Sequence, residues 1–182
     1  MDISQFLSCY DVRKLNQGDI ELIYGVSCKN KQFYEYHPPF VTRESIREDM
    51  SALPPGKSGE DKYYIGFFDG DALVAVMDLI LAYPAEDTAF IGLFMMNAEY
   101  QKRGIGSGII REMCGRLKEQ GCRKVRLGVD KGNGQSYSFW TKNNFRVVEE
   151  KDYMMMESLE NLNHKNPCET CKNGLHNFFT KN

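Results

Sequence analysis

A glycine-rich stretch between an apolar run and an amphipathic helix constrains this chain more than any other feature. The apolar run Phe90–Met96 is short enough to be a buried strand. After the glycines, apolar residues recur at every fourth position, as on one face of a helix: Ile105, Ile109, Met113 and Leu117. Between these elements stands Gln101-Lys102-Arg103-Gly104-Ile105-Gly106-Ser107-Gly108. Glycines there let the backbone approach a ligand, and the first helical N–H groups have no intrahelical partner. With Lys102, Arg103 and the helix dipole, they predict a pyrophosphate site.

Two well-known nucleotide loops do not fit this stretch. A dinucleotide-binding fold wants Gly-x-Gly-x-x-Gly near the N-terminus, whereas Gly104, Gly106 and Gly108 alternate and lie past the middle of the chain. A P-loop ends in Gly-Lys-Ser/Thr, which is absent here. A plain helix start with flexible glycines and no ligand is the remaining alternative.

The loop resembles the Gln/Arg-x-x-Gly-x-Gly/Ala signature of the GCN5-related N-acetyltransferase (GNAT) family, and a second motif follows in the order and spacing of that family. The family has an asparagine after its fifth strand, then a small residue, an aromatic residue and a Gly-Phe pair. The matching residues here are Asn133, Ser136, Trp140 and Asn144-Phe145. Asn144 replaces the usual glycine, and asparagine tolerates the left-handed backbone of a helix cap. Trp140 stands where many members have tyrosine. The resemblance covers roughly residues 10–158.

The predicted elements follow the order of that family. Strands are predicted at Asp11–Leu15, Tyr63–Phe68, Leu73–Ile80, Phe90–Met96, Lys124–Val129, Phe145–Glu150 and Tyr153–Ser158. Helices are predicted at Asp19–Cys28, Arg43–Ala52, the stretch after Gly104, and Gln135–Asn143. The resemblance implies an α/β (α+β) fold: a mixed, mostly antiparallel sheet of six to seven strands, splayed between the fourth and fifth strands, with about four helices. We predict an acetyltransferase domain at residues 1–158 and a polar C-terminal extension at 159–182.

The aromatic segment Phe33–Phe40 is expected to be non-helical, because Pro38 and Pro39 close it. In the family this region helps to form the wall of the acceptor site. Packing of Tyr34, Tyr36 and Phe40 onto the sheet is an equally good interpretation. The charges of Phe33–Asp49 lean acidic, which weakly favours a cationic acceptor, although a solvated helix face is the more usual meaning of such charges.

Composition excludes several classes of protein. A formal net charge of −2 gives no global basic field for nucleic acid or acidic membranes, and we expect neither as a partner. No secretory signal or stretch of ~20 apolar residues is present. Six scattered cysteines predict free thiols and a cytoplasmic location. For the oligomeric state we expect a monomer or a homodimer.

The resemblance implies acetyl-CoA as the acyl donor, used as a cosubstrate. By position, Phe94, Met95 and Met96 hold the pantetheine arm, and a backbone N–H there polarises the thioester carbonyl. The pyrophosphate is expected to bind to the loop residues Gln101, Lys102, Arg103, Gly104, Ile105, Gly106 and Ser107. Asn133 bonds the arm, while Phe139 and Trp140 lie along it or near the sulfur.

Two side chains are weak candidates for proton transfer. Asp78 interrupts an apolar strand, where burial would raise its pKa toward that of a useful base; a structural hydrogen-bonding role is the alternative. The indole N–H of Trp140 is too weak an acid to protonate a leaving thiolate. Tyr137, three positions earlier on the same short helix, or solvent takes that role; Tyr137 as a packing residue is equally open.

These residues predict an acyl-CoA-dependent N-acetyltransferase that acetylates the primary amine of a small molecule or an N-terminus. The alternative is a catalytically silent acyl-CoA-binding or regulatory module of the same fold, which the loss of the tyrosine at position 140 favours. In the tail, Cys168-x-x-Cys171 with His164 and His176 resembles a zinc set. The histidine spacing is unorthodox, so we predict a polar extension and no metal.

Overall fold

The computed structural model describes residues 9–151 and 153–158. Over these residues the strands are β1 (Asp11–Lys14), β2 (Lys62–Asp69), β3 (Ala72–Ile80), β4 (Thr88–Met96), β5 (Lys124–Asp130), β6 (Phe145–Glu150) and β7 (Tyr153–Ser158). The helices are α1 (Ile20–Cys28), α2 (Lys31–Tyr36), α3 (Arg43–Ser51), α4 (Ile105–Glu119) and α5 (Gly134–Lys142). Short 3₁₀ helices at Gln17–Asp19 and Ala98–Tyr100 precede α1 and α4.

The seven strands form one sheet in the order β1-β2-β3-β4-β5-β7-β6. Neighbouring strands run antiparallel except β4 and β5, which are parallel, as expected for strands joined through a helix. The parallel pair is short: Thr88–Ile91 pairs with Lys124–Leu127, and β4 and β5 do not pair with each other beyond these residues. The expected splay between the fourth and fifth strands is therefore confirmed, and so is the mixed, mostly antiparallel sheet.

Each face of the sheet is covered by its own helices. On one face α4 and α5 pack over Phe67, Met77 and Leu127; the helix stripe predicted from the sequence contributes Ile109, Met113 and Leu117, each at most 1% exposed. Burying each such side chain contributes about 1.5–3 kcal/mol. On the other face α1 and α3 cover β1 to β4 with a second apolar cluster that includes Ile23 and Ile46.

The segment after α1 differs from the prediction. Lys31–Tyr36 forms α2, so the expectation of a non-helical segment is wrong for its first half, and the structure has five α-helices where about four were expected. The prolines act only on the residues next to them: His37, immediately before Pro38, leaves the helix. The prolines thus end α2 and do not prevent it.

Two local predictions can be compared directly. Asn144 has φ of +64°, so it adopts the left-handed conformation expected of a residue that replaces the glycine after α5. Cys28, Cys114 and Cys122 are free thiols as expected, whereas Cys9 is disulfide-bonded, so the expectation of free thiols is wrong at that position.

The described ranges contain no helix that is both long and apolar enough to cross a bilayer. They also contain no group of three or more His, Cys, Asp or Glu side chains able to hold a metal ion. The zinc hypothesis for His164, Cys168, Cys171 and His176, and the boundary of the C-terminal extension, fall outside the described residues.

Candidate active site

A β-bulge in β4 marks the point where the sheet splays. Asp78 of β3 pairs with Leu93, but the next residue, Leu79, pairs with Ile91, so Gly92 is an extra residue without a partner on β3. Ile91 is also the last residue of β4 that pairs with β5. A bulge bends and twists its strand. The gap between β4 and β5 therefore opens at Gly92.

Beyond the bulge, alternate residues of β4 turn their backbone into this gap. Asn97 donates its N–H to the carbonyl of Val74, which fixes position 97 as a hydrogen-bonded position toward β3. Hydrogen-bonded and non-hydrogen-bonded positions alternate along an antiparallel pair. The N–H and C=O groups of Phe94 and Met96 consequently point away from β3, into the gap that β5 has left.

The loop before α4 presents unpaired backbone donors. Lys102 and Gly104 both adopt positive φ, +60° and +77°, which turns the chain sharply before the helix. The first backbone bond of α4 runs from Gly108 N–H to the Gly104 carbonyl, so the N–H groups of positions 105–107 have no backbone acceptor. Three N–H groups without a backbone acceptor among the described residues, at the positive end of a fifteen-residue helix, are suited to bind an anion.

Side-chain amides fix the end of β4 against this loop. The Met96 carbonyl accepts hydrogen bonds from Asn30 Nδ2 at 3.0 Å and from Gln101 Nε2 at 3.2 Å. Gln101 Nε2 also lies 2.7 Å from Asn30 Oδ1. Gln101 therefore turns inward and holds the loop in place, and the segment after α1 becomes part of the site.

A cavity of about 500 Å³ lies between the loop, the end of β4 and α5. Of the residues predicted to bind the cofactor, it is lined by Phe94, Met95, Met96, Gln101, Lys102, Gly104, Gly106, Ser107, Asn133, Phe139 and Trp140. Two predicted residues are not in its lining. Arg103 lies over the ring of Tyr100, 5.9 Å from the centroid, and Ile105 packs against the core.

The lining also includes residues that sequence reasoning did not select: Lys29, Asn30, Lys31, Gln32, Phe33, Tyr100, Gln135, Ser136 and Lys142. The first five come from the end of α1 and from α2, about 70 positions before the loop, and no local pattern connects them to it. Ser136 and Lys142 lie within or beside the second motif, whose helical spacing could have placed them near Asn133.

The chemistry of this cavity fits a long, anionic thioester such as acetyl-CoA. Its lining carries four lysines: Lys29, Lys31, Lys102 and Lys142. A Cβ added at Gly106 would come within 3.3 Å of the Phe139 ring and 3.4 Å of the Met96 side chain, so the glycine keeps a narrow passage open. Asn133 Oδ1 accepts the Ser136 N–H and caps α5, which leaves the NH₂ group of Asn133 as the donor available to a ligand.

Aromatic rings form the wall on the α5 side. The Phe139 ring stacks at 5.9 Å on Phe94, and Trp140 meets Phe139 edge-on at 5.1 Å. Trp140 is 5% exposed and also packs against Phe145 at 5.0 Å. Tyr137, by contrast, is 40% exposed and is not in the cavity lining. Trp140, placed by the family resemblance, lines the cavity, whereas the three-residue spacing that put Tyr137 on nearly the same face does not bring Tyr137 into it.

Asp78 lies on the opposite face of the sheet, beside the bulge. Its Oδ2 accepts a hydrogen bond of 2.8 Å from the ammonium group of Lys62, which also donates to the Ala52 carbonyl at 2.8 Å. Its Oδ1 is buried without a hydrogen-bond partner in the described part of the chain. Burial raises the pKa of Asp78 above its ordinary value, and the Lys62 ammonium group opposes that rise.

Helix α2 bridges the open end of the splay. Its beginning lies against the end of β4 through Asn30, and its end reaches β5, where His37 Nδ1 lies 3.2 Å from Asp130 Oδ2. A Cβ at Gly132, in the turn after β5, would lie 3.4 Å from the Tyr36 ring. The aromatic segment thus contributes both to the cavity, through Phe33, and to the connection across the gap.

Comparison with known proteins agrees with this geometry. Residues 29–145 match the family model described as "Acetyltransferase (GNAT) family". A spermidine N(1)-acetyltransferase of Thermoplasma acidophilum is 26% identical over 161 residues, covering 82% of this chain and 98% of the relative.

Among solved structures, the PaiA N-acetyltransferase of T. acidophilum in complex with coenzyme A has a TM-score of 0.61 at 23% identity, covering 82% of this chain and 98% of that one. An acetyltransferase from Thermus thermophilus has a TM-score of 0.67 at 21% identity, covering 83% and 96%. Both share the fold of this chain.

Proposed function

The chain belongs to the acetyltransferase (GNAT) family, and within that family we propose an N-acetyltransferase of small cationic amines, with Asp78 as the proton acceptor. Acetyl-CoA is the acyl donor. One observation carries the proposal: the bulge, the opening of the splay and the Asp78 carboxylate coincide at Gly92. A carboxylate at this point lies beside the end of any extended ligand that enters the gap along β4.

Different residues of the cavity bind different parts of the donor. The free N–H groups at the start of α4 and the lysines of the lining bind the phosphates. The Met96 carbonyl is already taken by Asn30 and Gln101, so the backbone groups of Phe94 and the N–H of Met96 pair with the extended arm as an added strand would, and an N–H there polarises the acyl carbonyl. When bound, acetyl-CoA supplies a thioester whose acyl group passes to the amine.

The amine reaches the thioester from the face of the sheet that carries Asp78. It must lose a proton as the new amide bond forms, and Asp78 Oδ1 is a buried acceptor with no partner in the described residues. Lys62 holds the other carboxylate oxygen and favours its ionised form, against the larger effect of burial on the pKa of Asp78. At the sulfur, Trp140 forms an apolar wall, and solvent supplies the proton that the indole cannot give, since Tyr137 lies outside the cavity lining.

A small amine is favoured over a protein N-terminus as the acceptor. One relative is a spermidine N(1)-acetyltransferase, and spermidine is a polycation. The acidic lean of Phe33–Asp49 comes from α3, where Glu44, Glu48 and Asp49 outnumber the arginines, and α3 covers the face of the sheet that carries Asp78. We further propose that the protein acts in the cytoplasm, where acetyl-CoA is available, as a monomer or homodimer without a nucleic-acid or membrane partner.

The test is a transfer assay with the purified full chain. Acetyl-CoA is incubated with spermidine, 1,4-diaminobutane, n-butylamine or a peptide with a free N-terminal alanine, and release of the CoA thiol is followed. We expect release with the small amines at rates well above the amine-free background. If coenzyme A raises the melting temperature but no amine stimulates thiol release, the silent acyl-CoA-binding module is the correct alternative.

A further inference from the structure

We propose that Asp49 and Tyr64 form a second ammonium site, which holds a distal charged nitrogen of a diamine or polyamine while its terminal amine lies at Asp78. This inference rests on the proposed amine acetylation and adds a determinant of specificity to it. It places the binding of the second charge on α3 and β2, outside the cavity that holds the donor.

The sheet register brings the groups of this site together. Tyr64 of β2 is the direct cross-strand partner of Asp78 of β3, so their side chains are neighbours on the face covered by α1 and α3. Asp49 lies on α3, which packs over the same face. Its carboxylate acts electrostatically on both Tyr64 and Asp78.

These groups have hydrogen-bonding capacity that the described residues leave unused. Asp78 Oδ1 is a buried oxygen without a hydrogen-bond partner in the described ranges. Leaving such a group unpaired costs about 1–3 kcal/mol and calls for a ligand or a functional role. The Tyr64 side chain is 6% exposed, and its hydroxyl, which makes no hydrogen bond within the described ranges, still reaches solvent, as does the Asp49 carboxylate, which forms no ion pair there.

The charges of this site select a cation. Lys62 supplies one positive charge against the two carboxylates of Asp49 and Asp78. His37, the other basic group that acts on Asp49, lies 3.2 Å from the Asp130 carboxylate, so it does not cancel the remaining negative charge. Burial and the two nearby carboxylates raise the pKa of Tyr64 well above its ordinary value, so its hydroxyl stays neutral and accepts a hydrogen bond without adding charge. An alkylammonium group carries three N–H donors and one positive charge. It can donate to the Tyr64 hydroxyl and to the Asp49 carboxylate, and its charge offsets the remaining negative charge of the site.

The arrangement also gives the order of the two nitrogens. Asp78 contacts the bulge at Gly92, where the splay opens, whereas Asp49 lies on the exposed surface of α3. The amine that reacts therefore occupies the inner position, and the second nitrogen remains outside it beside Asp49. Such a ligand is an acceptor with two charged nitrogens separated by a short alkyl chain.

The experiment compares two acceptors of equal length, 1,4-diaminobutane and n-butylamine, in steady-state transfer assays. Asp49→Asn should raise KM for the diamine about 10- to 100-fold, because a charge-assisted hydrogen bond is lost, and leave KM for n-butylamine within about twofold. Tyr64→Phe should raise the diamine KM by a smaller factor. At a pH above the acid limb set by Asp78, kcat with n-butylamine should match that of the wild type in both variants; the limb itself should move to lower pH in Asp49→Asn, because the Asp49 carboxylate raises the pKa of Asp78.

Glu48→Gln is the matched control. This substitution removes a negative charge from the position of α3 next to Asp49. Glu48 forms no ion pair among the described residues, so KM should stay unchanged for both 1,4-diaminobutane and n-butylamine. Equal effects of Asp49→Asn on both acceptors, or no effect on the diamine, would overturn the second site while the proposed acetylation stands. If the wild type acetylates no amine, the proposed function fails and this inference fails with it.

Discussion

The carboxylate of Asp78 occupies the space in which a side chain at position 92 would begin. A Cβ built on Gly92 would lie 2.7 Å from Asp78 Oδ2 and 3.3 Å from its Cγ. Contacts of that length do not occur between real atoms, so a residue other than glycine must displace either the bulge or the carboxylate. The bulge that opens the sheet and the buried ion pair of Asp78 with Lys62 are therefore parts of one arrangement.

This contact gives the first prediction. Gly92→Ala should lower kcat at least about tenfold, because the added methyl group moves the Asp78 carboxylate away from the reacting amine, and misplacement by about 1 Å can cost 10²-fold. The melting shift caused by coenzyme A should persist, since the phosphate-binding loop is untouched. Gly25→Ala in α1 is the control, because a Cβ there meets no heavy atom within 4 Å. Full turnover of Gly92→Ala would contradict the role of this contact.

The second prediction concerns the proton acceptor. Asp78→Asn should lower kcat by about 10²- to 10⁴-fold, the usual contribution of a positioned base, without changing the melting shift caused by coenzyme A. Because burial raises the pKa of Asp78 above the ordinary value of about 3.9, the wild-type rate should fall as the pH decreases through that raised value. The residual rate of the variant should lack this acid limb.

Asp71→Asn is the control for that experiment, since Asp71 is an exposed carboxylate in the turn between β2 and β3, the strands that carry Lys62 and Asp78. If Asp78→Asn and Asp71→Asn turn over alike, with the same pH profile, the proton leaves through water and Asp78 is a structural partner of Lys62.

The third prediction tests the donor cavity. Gly106→Val should abolish the melting shift caused by coenzyme A, because the side chain would enter the passage between Phe139 and Met96. Gly115→Val, on the same helix, is the matched control: a Cβ at that position meets no heavy atom within 4 Å, so the shift should remain. A normal shift in Gly106→Val would show that the ligand does not pass this glycine.

The sequence predicted those parts of the fold and site that depend on residues close together in the chain. Apolar spacing identified the buried stripe of α4, the motif spacing placed Asn133 and Trp140 on the cavity, and the chemistry of asparagine anticipated the left-handed Asn144. Each of these follows from the local geometry of one helix or one turn.

Sequence reasoning missed the parts that depend on which strands and helices become neighbours. Asn30 binds Gln101 across 71 positions, and Lys62 pairs with Asp78 only because of the register between β2 and β3. Helix α2 was not predicted, because Pro38 and Pro39 were expected to prevent a helix throughout Phe33–Phe40. A proline restricts the backbone of only its own residue and the residue before it.

The fourth prediction separates two residues of α5. Tyr137→Phe should keep full turnover from pH 6 to pH 10, because Tyr137 is 40% exposed and outside the cavity lining, so solvent protonates the thiolate. Trp140→Ala should lower the free energy of unfolding by about 3–5 kcal/mol and weaken donor binding, since it removes a buried ring from the cavity wall. A loss of turnover in Tyr137→Phe that grows with pH would identify the tyrosine as the acid.

The last prediction concerns stability and pH at the start of the domain. Arg13 binds both carboxylate oxygens of Asp19, at 2.7 Å and 2.9 Å, and Asp19 also accepts the Asn16 N–H at 2.8 Å. The hydrogen bonds from Arg13, foremost, hold the pKa of Asp19 below its ordinary value. Because the folded pKa is lowered, the ionised carboxylate stabilises the native state above the unfolded pKa of about 3.9, and this contribution disappears as the pH falls through the lowered value.

Asp19→Asn should therefore lower the free energy of unfolding by about 1–2 kcal/mol at pH 7, toward the lower end because Arg13 is half-exposed. The difference from the wild type should shrink steadily between pH 5 and pH 3 in urea titrations. Asp69→Asn, an exposed carboxylate at the end of β2, should change stability by less than about 0.5 kcal/mol throughout. A difference between Asp19→Asn and wild type that is the same at pH 7 and pH 3 would mean that the Arg13 contact contributes nothing through the charge of Asp19.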